Sequence, residues 1–421
     1  VLLEDAALPD PPSAGGRVEL DRSVPALLLK LGSYPLHHGG LGVVRSLGRC
    51  GVDVYAVTEG RFTPAAVSRH LRGRLSWPTS GGEDPAELAE GLHGIARSLG
   101  RRAVLVPTDD ESAIAISELG DDLADDFLFP RCVDPGLPRR LASKEGLAAL
   151  CARHGIPTPH TVVPAALDDV EEYAAHGSFP VVVKSRAPFE RHSNPTVRSS
   201  TVVTTPDELR ALALDWRDDP GVILQEYLPR EDSEDWVVHA WTGAGATSVF
   251  TGVKLRSWPP RAGVTTAGRA CWNPELAELA TRLFTATGFS GIADLDFRRD
   301  RRDDRYKLVD FNPRVGAQFR LFEDAGGLDV VRAQHLALTG RAVPHAAFPE
   351  GRAFVAEDFD YVARLAYRGE PTDAPAPVGR APSTERAWFA LDDPLPVLPM
   401  VLGRARPVLS RARRKVRLRR R

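Results

Sequence analysis

The sequence predicts an α/β domain with a parallel sheet at its N-terminal end, followed by an α+β region of mixed strands. Three observations predict this. A strand–loop–helix–strand order opens the chain, which implies a βαβ unit and a parallel sheet. The same plan returns at "AVLVPTDDESAIAISELG", Ala103 to Gly120. Further on, strand-like runs follow one another across short charged turns, the order of antiparallel hairpins.

The elements follow in sequence. The opening "VLLEDAALPDPPSAGG" is acidic and rich in Pro and Gly, with no basic n-region or apolar h-region. It reads as a disordered leader over 1–23 rather than a secretory signal. "VPALLLKL" (Val24–Leu31) reads as a buried strand, "GSYPLHHGGLG" as a loop, "GVVRSLGRCG" as a helix ending at Gly51, and "VDVYAV" as a second strand. The α/β domain thus spans 24–130. "SKEGLAALCARHGIPTP" is a helix with Ser143 at the N-cap, Gly155 just past its end and Pro157 as its stop. "FPVVVKSR" and "GVILQEYL" are buried-type strands, and "DWVVHAWT" and "TSVFTGVKLR" form an antiparallel pair. "NPELAELATRLFTATG" is an amphipathic helix capped by Asn273. "GIADLDFRRD" and "RYKLVDFNPR" are two strands of a hairpin, and "GLDVVRAQHLALTG" is the final helix. The α+β region spans 131–345. Beyond it, 346–421 forms a C-terminal extension containing the Pro/Ala linker "EPTDAPAPVGRAP".

Composition sets the outer limits. The 421 residues suit two or three domains at about 150 residues each, and no apolar run reaches the roughly 20 residues that span a bilayer. Cys50, Cys132, Cys151 and Cys271 are scattered without C-x-x-C spacing. That argues against a disulfide framework or structural zinc and for a reducing cytoplasm. The net charge of −2 conceals an asymmetry: "RARPVLSRARRKVRLRRR" (Arg404–Arg421) carries ten cations and no acid. An acidic body with a basic tail fits a membrane-surface anchor, a nucleic-acid contact or a solubilising end. The first is favoured, which would place a cytoplasmic protein at the inner face of the membrane; nucleic acid is disfavoured.

The chemistry gathers in the late hairpin. Side chains alternate faces along a strand, so Asp294 and Asp296 share one face, and Leu308, Asp310, Asn312 and Arg314 share another. Pairing the strands brings Asp296 near Asp310 and Asn312. Like charges across a hairpin repel, and a divalent cation removes that cost. An all-oxygen set of two acids and an amide suits Mg²⁺, which also binds phosphates. Two lysines add to this. Lys144 sits in the first turn of its helix, where a bound anion would be favourable. Lys184 ends the run Val181, Val182, Val183, and a lysine in a buried strand needs a partner. Two lysines and a carboxylate–amide metal cluster are what a nucleoside triphosphate requires. Neither G-x-x-x-x-G-K-[ST] nor a helix-opening G-x-G-x-x-G occurs, which disfavours P-loop enzymes and protein kinases.

In this order, over about Pro130 to Gly340, "SKEGLAALCARHGIPTPHT", "FPVVVKSR", "ILQEYLPRED" and "GIADLDFRRD…KLVDFNPRVG" resemble the two lysine segments, the adenine hinge and the metal strands of the ATP-grasp superfamily. Within it the chain resembles carboxylate–amine ligases, including D-aspartate ligase. The resemblance implies an ATP-grasp domain of two subdomains clasping ATP between antiparallel sheets. It implies that Lys144 and Lys184 contact the α- and β-phosphates. Gln225, Glu226, Tyr227 and Leu228 would form the adenine hinge. Asp235 would bind ribose, with Asp232 and Glu234 as rivals. Asp296, Asp310 and Asn312 would hold Mg²⁺ (or Mn²⁺), and Arg314 would stabilise the transferring phosphoryl group.

The implied reaction is ATP-dependent joining of a small-molecule carboxylate to an amine through an acyl phosphate, with release of ADP and phosphate. An ATP-grasp kinase, or a non-catalytic ATP-binding protein docked at a membrane, is the alternative; a homodimer is compatible with either. Two departures stand out. The region after the second lysine, "RAPFERHSNPTVRSS", has no glycine-rich loop, leaving Arg186, Arg191, His192 or Arg198 to clamp phosphates. The first metal acid is Asp296 where Glu is common.

Three further stretches carry candidates. The cation-rich "KLRSWPPRAGVTTAGRACW" (Lys254–Trp272) reads as a candidate acceptor-substrate loop, with Arg256 and Arg261 as its anion-binding candidates. "HHGG" (His37–Gly40) either binds a substrate or caps a helix, and "TDDE" (Thr108–Glu111) fits a capping box. His239 reads as structural.

Overall fold

The computed structural model describes residues 18–190, 196–197, 200–216, 218–229, 231–260, 263–344, 348, 350–368 and 383–405. The leader through residue 17, the linker 370–382 and the tail beyond Ala405 lie outside the described residues.

The N-terminal part is an open parallel sheet. Its strands are β1 (Ala26–Leu29), β2 (Val54–Val57), β3 (Gly73–Leu75), β4 (Ala103–Pro107) and β5 (Phe127–Leu128), in the order β3-β2-β1-β4-β5. Every pairing is parallel. Helices α1 (His38–Gly48), α2 (Pro85–Leu99), α3 (Asp110–Glu118) and α4 (Gly120–Leu123) accompany it. β1 is wholly buried because apolar side chains meet helices on both faces. The chain leaves β1 toward β2 on one side and returns to β4 on the other, so the carboxyl ends of β1 and β4 border a crevice.

α1 starts earlier than its sequence suggests, at His38 rather than Gly42, and ends at Gly48 rather than Gly51. His37 caps it, its Nδ1 accepting from the Gly40 amide at 3.2 Å. Gly39 suits that first turn because a Cβ there would lie 3.0 Å from the Ala317 Cα. The α3 cap is Asp109, which accepts from the Ser112 amide, whereas the Thr108 hydroxyl donates to the Leu29 carbonyl.

Two further sheets follow, antiparallel at every pairing except the parallel one at an edge of the larger sheet. α5 (Leu137–Ala142) and α6 (Lys144–His154) lead into the smaller one. Ser143 caps α6, accepting from the Gly146 amide, and Gly155 ends it with φ +64°. β6 (Thr161–Val162), β7 (Val181–Ser185), β8 (Thr201–Val203) and β9 (Val222–Glu226) pair in the order β6-β9-β7-β8. α7 (Leu167–His176) and α8 (Pro206–Ala213) cover one face, where Val170, Val181, Leu209 and Leu224 form the core.

The larger sheet holds β10 (Ser233–Gly243), β11 (Ala246–Trp258), β12 (Val264–Ala270), β13 (Gly291–Asp300), β14 (Arg305–Asn312), β15 (Ala353–Val355) and β16 (Thr384–Arg386), in the order β14-β13-β10-β11-β12-β15-β16. α9 (Pro274–Thr287), α10 (Val330–Leu338) and α11 (Glu357–Ala366) accompany it. Asn273 caps α9 as its position suggests. Alternation in β10 feeds two cores. Trp236, Val238 and Ala240 pack toward α6 and α9, while Val237 and Trp241 join a core shared with α1, α10 and the parallel sheet. The parallel sheet and the large sheet are therefore joined by one continuous core.

Three expectations are corrected. The segment Lys254–Trp272 is mostly strand: its first residues end β11, and β12 occupies Val264–Ala270. "GLDVVRAQHLALTG" forms α10 but is not the final helix, since α11 and a helix over 397–405 follow it. Leu308 does not share a face with Asp310. The register runs Phe297↔Leu308 and then Asp296↔Asp310, so Val309 is an extra residue in a bulge. Leu308 turns into the core while Asp310 faces the cleft. No helix among the described residues is long and apolar enough to cross a membrane.

Candidate active site

The face of β13 and β14 that carries Asp294, Asp296 and Arg298 looks across a cleft at the small sheet. The cleft is about 270 Å³ and is lined by Lys184, the 225–228 segment, Asp235, Lys254, Arg256, Asp296, Arg298 and Asp310, among others. A larger cavity of about 1000 Å³ lies around Phe250, Trp272 and Phe348 and contains none of these groups.

Asp296 and Asp310 stand directly opposite one another, as alternation suggests, but Asn312 faces Asp294 instead. The two acids are half-buried together, and each has drawn in a lysine. Lys254 Nζ lies 2.5 Å from Asp296 Oδ1, and Lys144 Nζ bonds Asp310. Burial raises the Asp296 carboxyl, Lys254 opposes this, and the Asp294 and Asp310 carboxylates add to the rise. Burial would also raise Asp310, yet Lys144, Lys184 and Arg314 together hold it below the usual range. The Asn312 side-chain nitrogen donates to the Asp294 carbonyl at 3.1 Å, which leaves its oxygen as an acceptor. Two carboxylates and an amide oxygen on one face are an all-oxygen donor set that fits Mg²⁺.

Lys144 is the first residue of α6, and its amide donates to the Arg186 carbonyl at 2.9 Å. Lys184 projects from β7, and Gln225 Oε1 accepts from it at 2.7 Å. Thr161 Oγ1 in turn accepts from Gln225 Nε2 at 3.1 Å. Burial, with Lys144 nearby, lowers the Lys184 ammonium to about 8. The other cleft cations have acids; Lys184 is held by a neutral amide.

The 225–228 segment leaves β9 along the cleft. The Glu226 amide donates to the His160 carbonyl at 2.7 Å, and its carboxylate accepts from Lys307 and Arg302. Tyr227 and Leu228 line the cleft, and the Leu228 carbonyl accepts from Arg298 at 3.3 Å. Asp235 lines it too and accepts from Arg298 Nε at 2.7 Å. Its rival Glu234 is occupied by Arg301 and the Trp236 indole, and Asp232 lies at the turn where its carbonyl accepts from Arg301.

Arg314 lies beyond Asp296 and Asp310, between the large sheet and the parallel sheet. Its Nη1 donates to Asp294 Oδ2 at 2.8 Å, and its Nε lies 3.3 Å from Asp110 Oδ1. Asp294 also faces His239, with 3.1 Å between Oδ1 and Nε2, and His239 is fully buried against Phe322. Burial raises the Asp110 carboxyl to about 6, with Arg314 opposing and Asp310 reinforcing. Arg256 lines the cleft, but Asp360 holds its guanidinium at 2.7 and 3.2 Å. Arg186 is turned to Asp219 and Glu145. Arg261, Arg191, His192 and Arg198 lie outside the described residues.

Asp110 and Asp294 escape the sequence reading. Both acids of "TDDE" are accounted for by a helix start, so nothing marks Asp110 as a long-range partner. Asp294 does carry a signal, since it shares a strand face with Asp296.

A parallel-sheet domain followed by two largely antiparallel sheets facing across a lysine- and acid-lined cleft is the ATP-grasp architecture, and this chain has the ATP-grasp fold. It is 23% identical over 258 residues to D-aspartate ligase of Enterococcus faecium (strain Aus0004), covering 55% of this chain and 58% of that enzyme. An ADP complex of N5-carboxyaminoimidazole ribonucleotide synthetase superposes with a TM-score of 0.59 at 14% identity, over 86% of this chain and 92% of that one. The Staphylococcus aureus N5-carboxyaminoimidazole synthetase with ADP gives 0.57 at 12%, over 79% and 81%. The biotin carboxylase domain of Hydrogenobacter thermophilus 2-oxoglutarate carboxylase, with MgADP and bicarbonate, gives 0.55 at 14%, over 76% and 71%. No family model matches the chain.

Proposed function

We propose that the protein is a Mg²⁺- and ATP-dependent ligase that joins a carboxylate to an amine through an acyl phosphate, releasing ADP and phosphate. One observation carries this reading: Asp296 and Asp310 oppose each other in a shared cleft, and each is neutralised by a lysine from a different element. Half-buried acids facing each other need cations, and lysines that lie beside them are placed to exchange a carboxylate for a phosphate.

In this reading Asp296, Asp310 and the Asn312 oxygen hold the metal, which supplies charge neutralisation for the phosphoryl group. Lys144 and Lys184 turn to the phosphates. Gln225 keeps Lys184 aimed, while the backbone of 226–228 borders the base and Asp235 the ribose. Arg314, held by Asp294 and Asp110, offers its remaining guanidinium N–H groups to the transferring phosphoryl group and then to the acyl phosphate. The carboxylate oxygen attacks the γ-phosphorus and ADP leaves. The amine then attacks the acyl carbon, and phosphate leaves with the former carboxylate oxygen. The basic tail is proposed to meet an anionic membrane surface.

The test is ADP release in the presence of paired carboxylates and amines, with the phosphate followed separately. A ligase releases phosphate free in step with ADP, and hydroxylamine captures the activated acid. Phosphate retained on the product would show a kinase, and no ADP with any pair would reject the catalytic reading.

Two expectations follow for single residues. Asp294→Asn loosens Arg314 without touching ATP, so kcat is expected to fall by about ten- to a hundredfold while the KM for ATP stays within about twofold. A rise in the KM for ATP with unchanged kcat would contradict that role. Lys184 gives a pH dependence. Below its value of about 8 the ammonium is already formed and affinity for ATP is flat. Above it, phosphate binding must draw a proton onto Lys184, so affinity falls by up to about tenfold per pH unit. Calorimetry in buffers of different ionisation enthalpy is expected to show proton uptake above that value, and none in Lys184→Met.

A further inference from the structure

The C-terminal segment has an apolar outer surface that the fold leaves without an explanation. Residues 397–405 form a helix, and from Pro394 to Gly403 the segment "PLPVLPMVLG" has no charged or hydrogen-bonding side chain. Its inner side is already committed to packing. Met400 is buried, Val397 packs on the large core, and Gly403 lies so close to Leu36 that a Cβ there would meet its side chain at 3.1 Å. Its outer side is apolar as well. Leu398, Val401 and Leu402 are 52%, 50% and 46% exposed and recur at the spacing of one helix face, while Leu395, in the turn just before the helix, is 60% exposed. A helix on the surface of a soluble protein turns polar residues outward; one that is apolar all round is normally covered on both sides.

The sequence that follows indicates what covers it. Arg404 is tied down, bonded to Asp358 and stacked 3.9 Å over the Phe359 ring. The residues after Ala405 then carry nine further cations and no acid, while the rest of the chain is acidic. A second copy would suit the leucines but would bring two cationic tails together. A nucleic acid would suit the tail but not the leucines. An anionic bilayer suits both, because leucines enter the acyl boundary while arginines remain among the head groups.

We infer that the outer face of 395–402 is a docking surface for an anionic lipid bilayer, with Leu395, Leu398, Val401 and Leu402 as its inserting side chains and the basic tail as its electrostatic partner. This rests on the reading of the tail given above and adds an apolar, geometrically defined half to it. The acidic body, repelled by the same surface, fixes the orientation with this face inward.

The test is co-sedimentation of the full chain with vesicles of phosphatidylcholine alone or mixed with phosphatidylserine. The wild type is expected to bind only the anionic vesicles. The variant with Leu395, Leu398, Val401 and Leu402 all replaced by serine keeps every charge, and is expected to bind them at least about tenfold more weakly. Its melt and circular dichroism check that it is folded. Arg413→Gln, Arg414→Gln and Lys415→Gln together are expected to weaken binding and its salt dependence. Unchanged binding by the serine variant would overturn the apolar docking face and leave the tail reading intact. A wild type that ignores both vesicles would overturn both. A dimer by light scattering that the serine variant abolishes, with no vesicle binding, would assign the face to a second copy instead.

Discussion

Asp310→Asn is expected to lower kcat/KM for ADP formation by about a thousandfold or more. The substitution keeps size and removes one of two facing carboxylates. It acts in two states of the protein. With ligand bound, the site loses half of its formal negative charge toward a metal. Without ligand, Lys144, only 8% exposed, loses the carboxylate that neutralises it. Leaving one member of a buried pair without its partner costs up to about 3–5 kcal/mol, and less here because Asp310 is itself about a third exposed at 34%. A lowered melt is therefore expected together with the lost activity. Asp304→Asn serves as the control. It sits at the hairpin turn, 72% exposed and paired with Arg299, and its effect is expected to stay within about 0.5 kcal/mol. Activity within tenfold of wild type in Asp310→Asn would remove the metal role from that carboxylate.

The largest effect on stability is expected at the other end of the chain. Arg45 on α1 and Asp393 form an ion pair at 2.9 Å with both side chains 1% exposed. The guanidinium also donates to the carbonyls of Ala387, Trp388 and Asp393, while Asp393 accepts from the Ser68 hydroxyl and the Arg69 amide. Asp393→Ala leaves a buried guanidinium with carbonyls alone, and is expected to cost about 3–5 kcal/mol. Arg45→Met with Asp393→Leu is expected to recover only part of this, because the three carbonyls lose their donor. Denaturant unfolding, with limited proteolysis of the segment after 383, checks both. A loss below about 1 kcal/mol for Asp393→Ala would mean that the C-terminal segment is not held through this pair.

Much of the site can be read from the sequence because each part has a local physical cause. Ser143 and Gly155 mark the ends of α6 and so place Lys144 in its first turn. Three valines place Lys184 in a buried strand. Alternation predicts that Asp296 faces Asp310. What escapes is set by pairing between distant segments. The bulge at Val309 depends on the register against β13, and strict alternation puts Leu308 on the wrong face. Two prolines and two glycines make Lys254–Trp272 look like a loop, although only 259–263 separates β11 from β12. β15 and β16 are three residues each and stand on either side of a Pro/Ala stretch, too short for any period to show. Asp110 reaches Arg314 only because the parallel sheet and the large sheet share a core.

The most direct measurement is a thermal melt of the wild type with ATP and Mg²⁺, with ATP and EDTA, and with Mg²⁺ alone, repeated on Asp296→Ala with Asp310→Ala. Ligand at about 100 times its Kd adds about 2.7 kcal/mol to the folded state, a shift of several degrees at most for a chain this size. The expected result is a shift that needs ATP and Mg²⁺ together and disappears in the double variant. A shift of the same size with EDTA, or one that survives loss of both acids, would contradict the assignment of this cleft to Mg²⁺ and ATP.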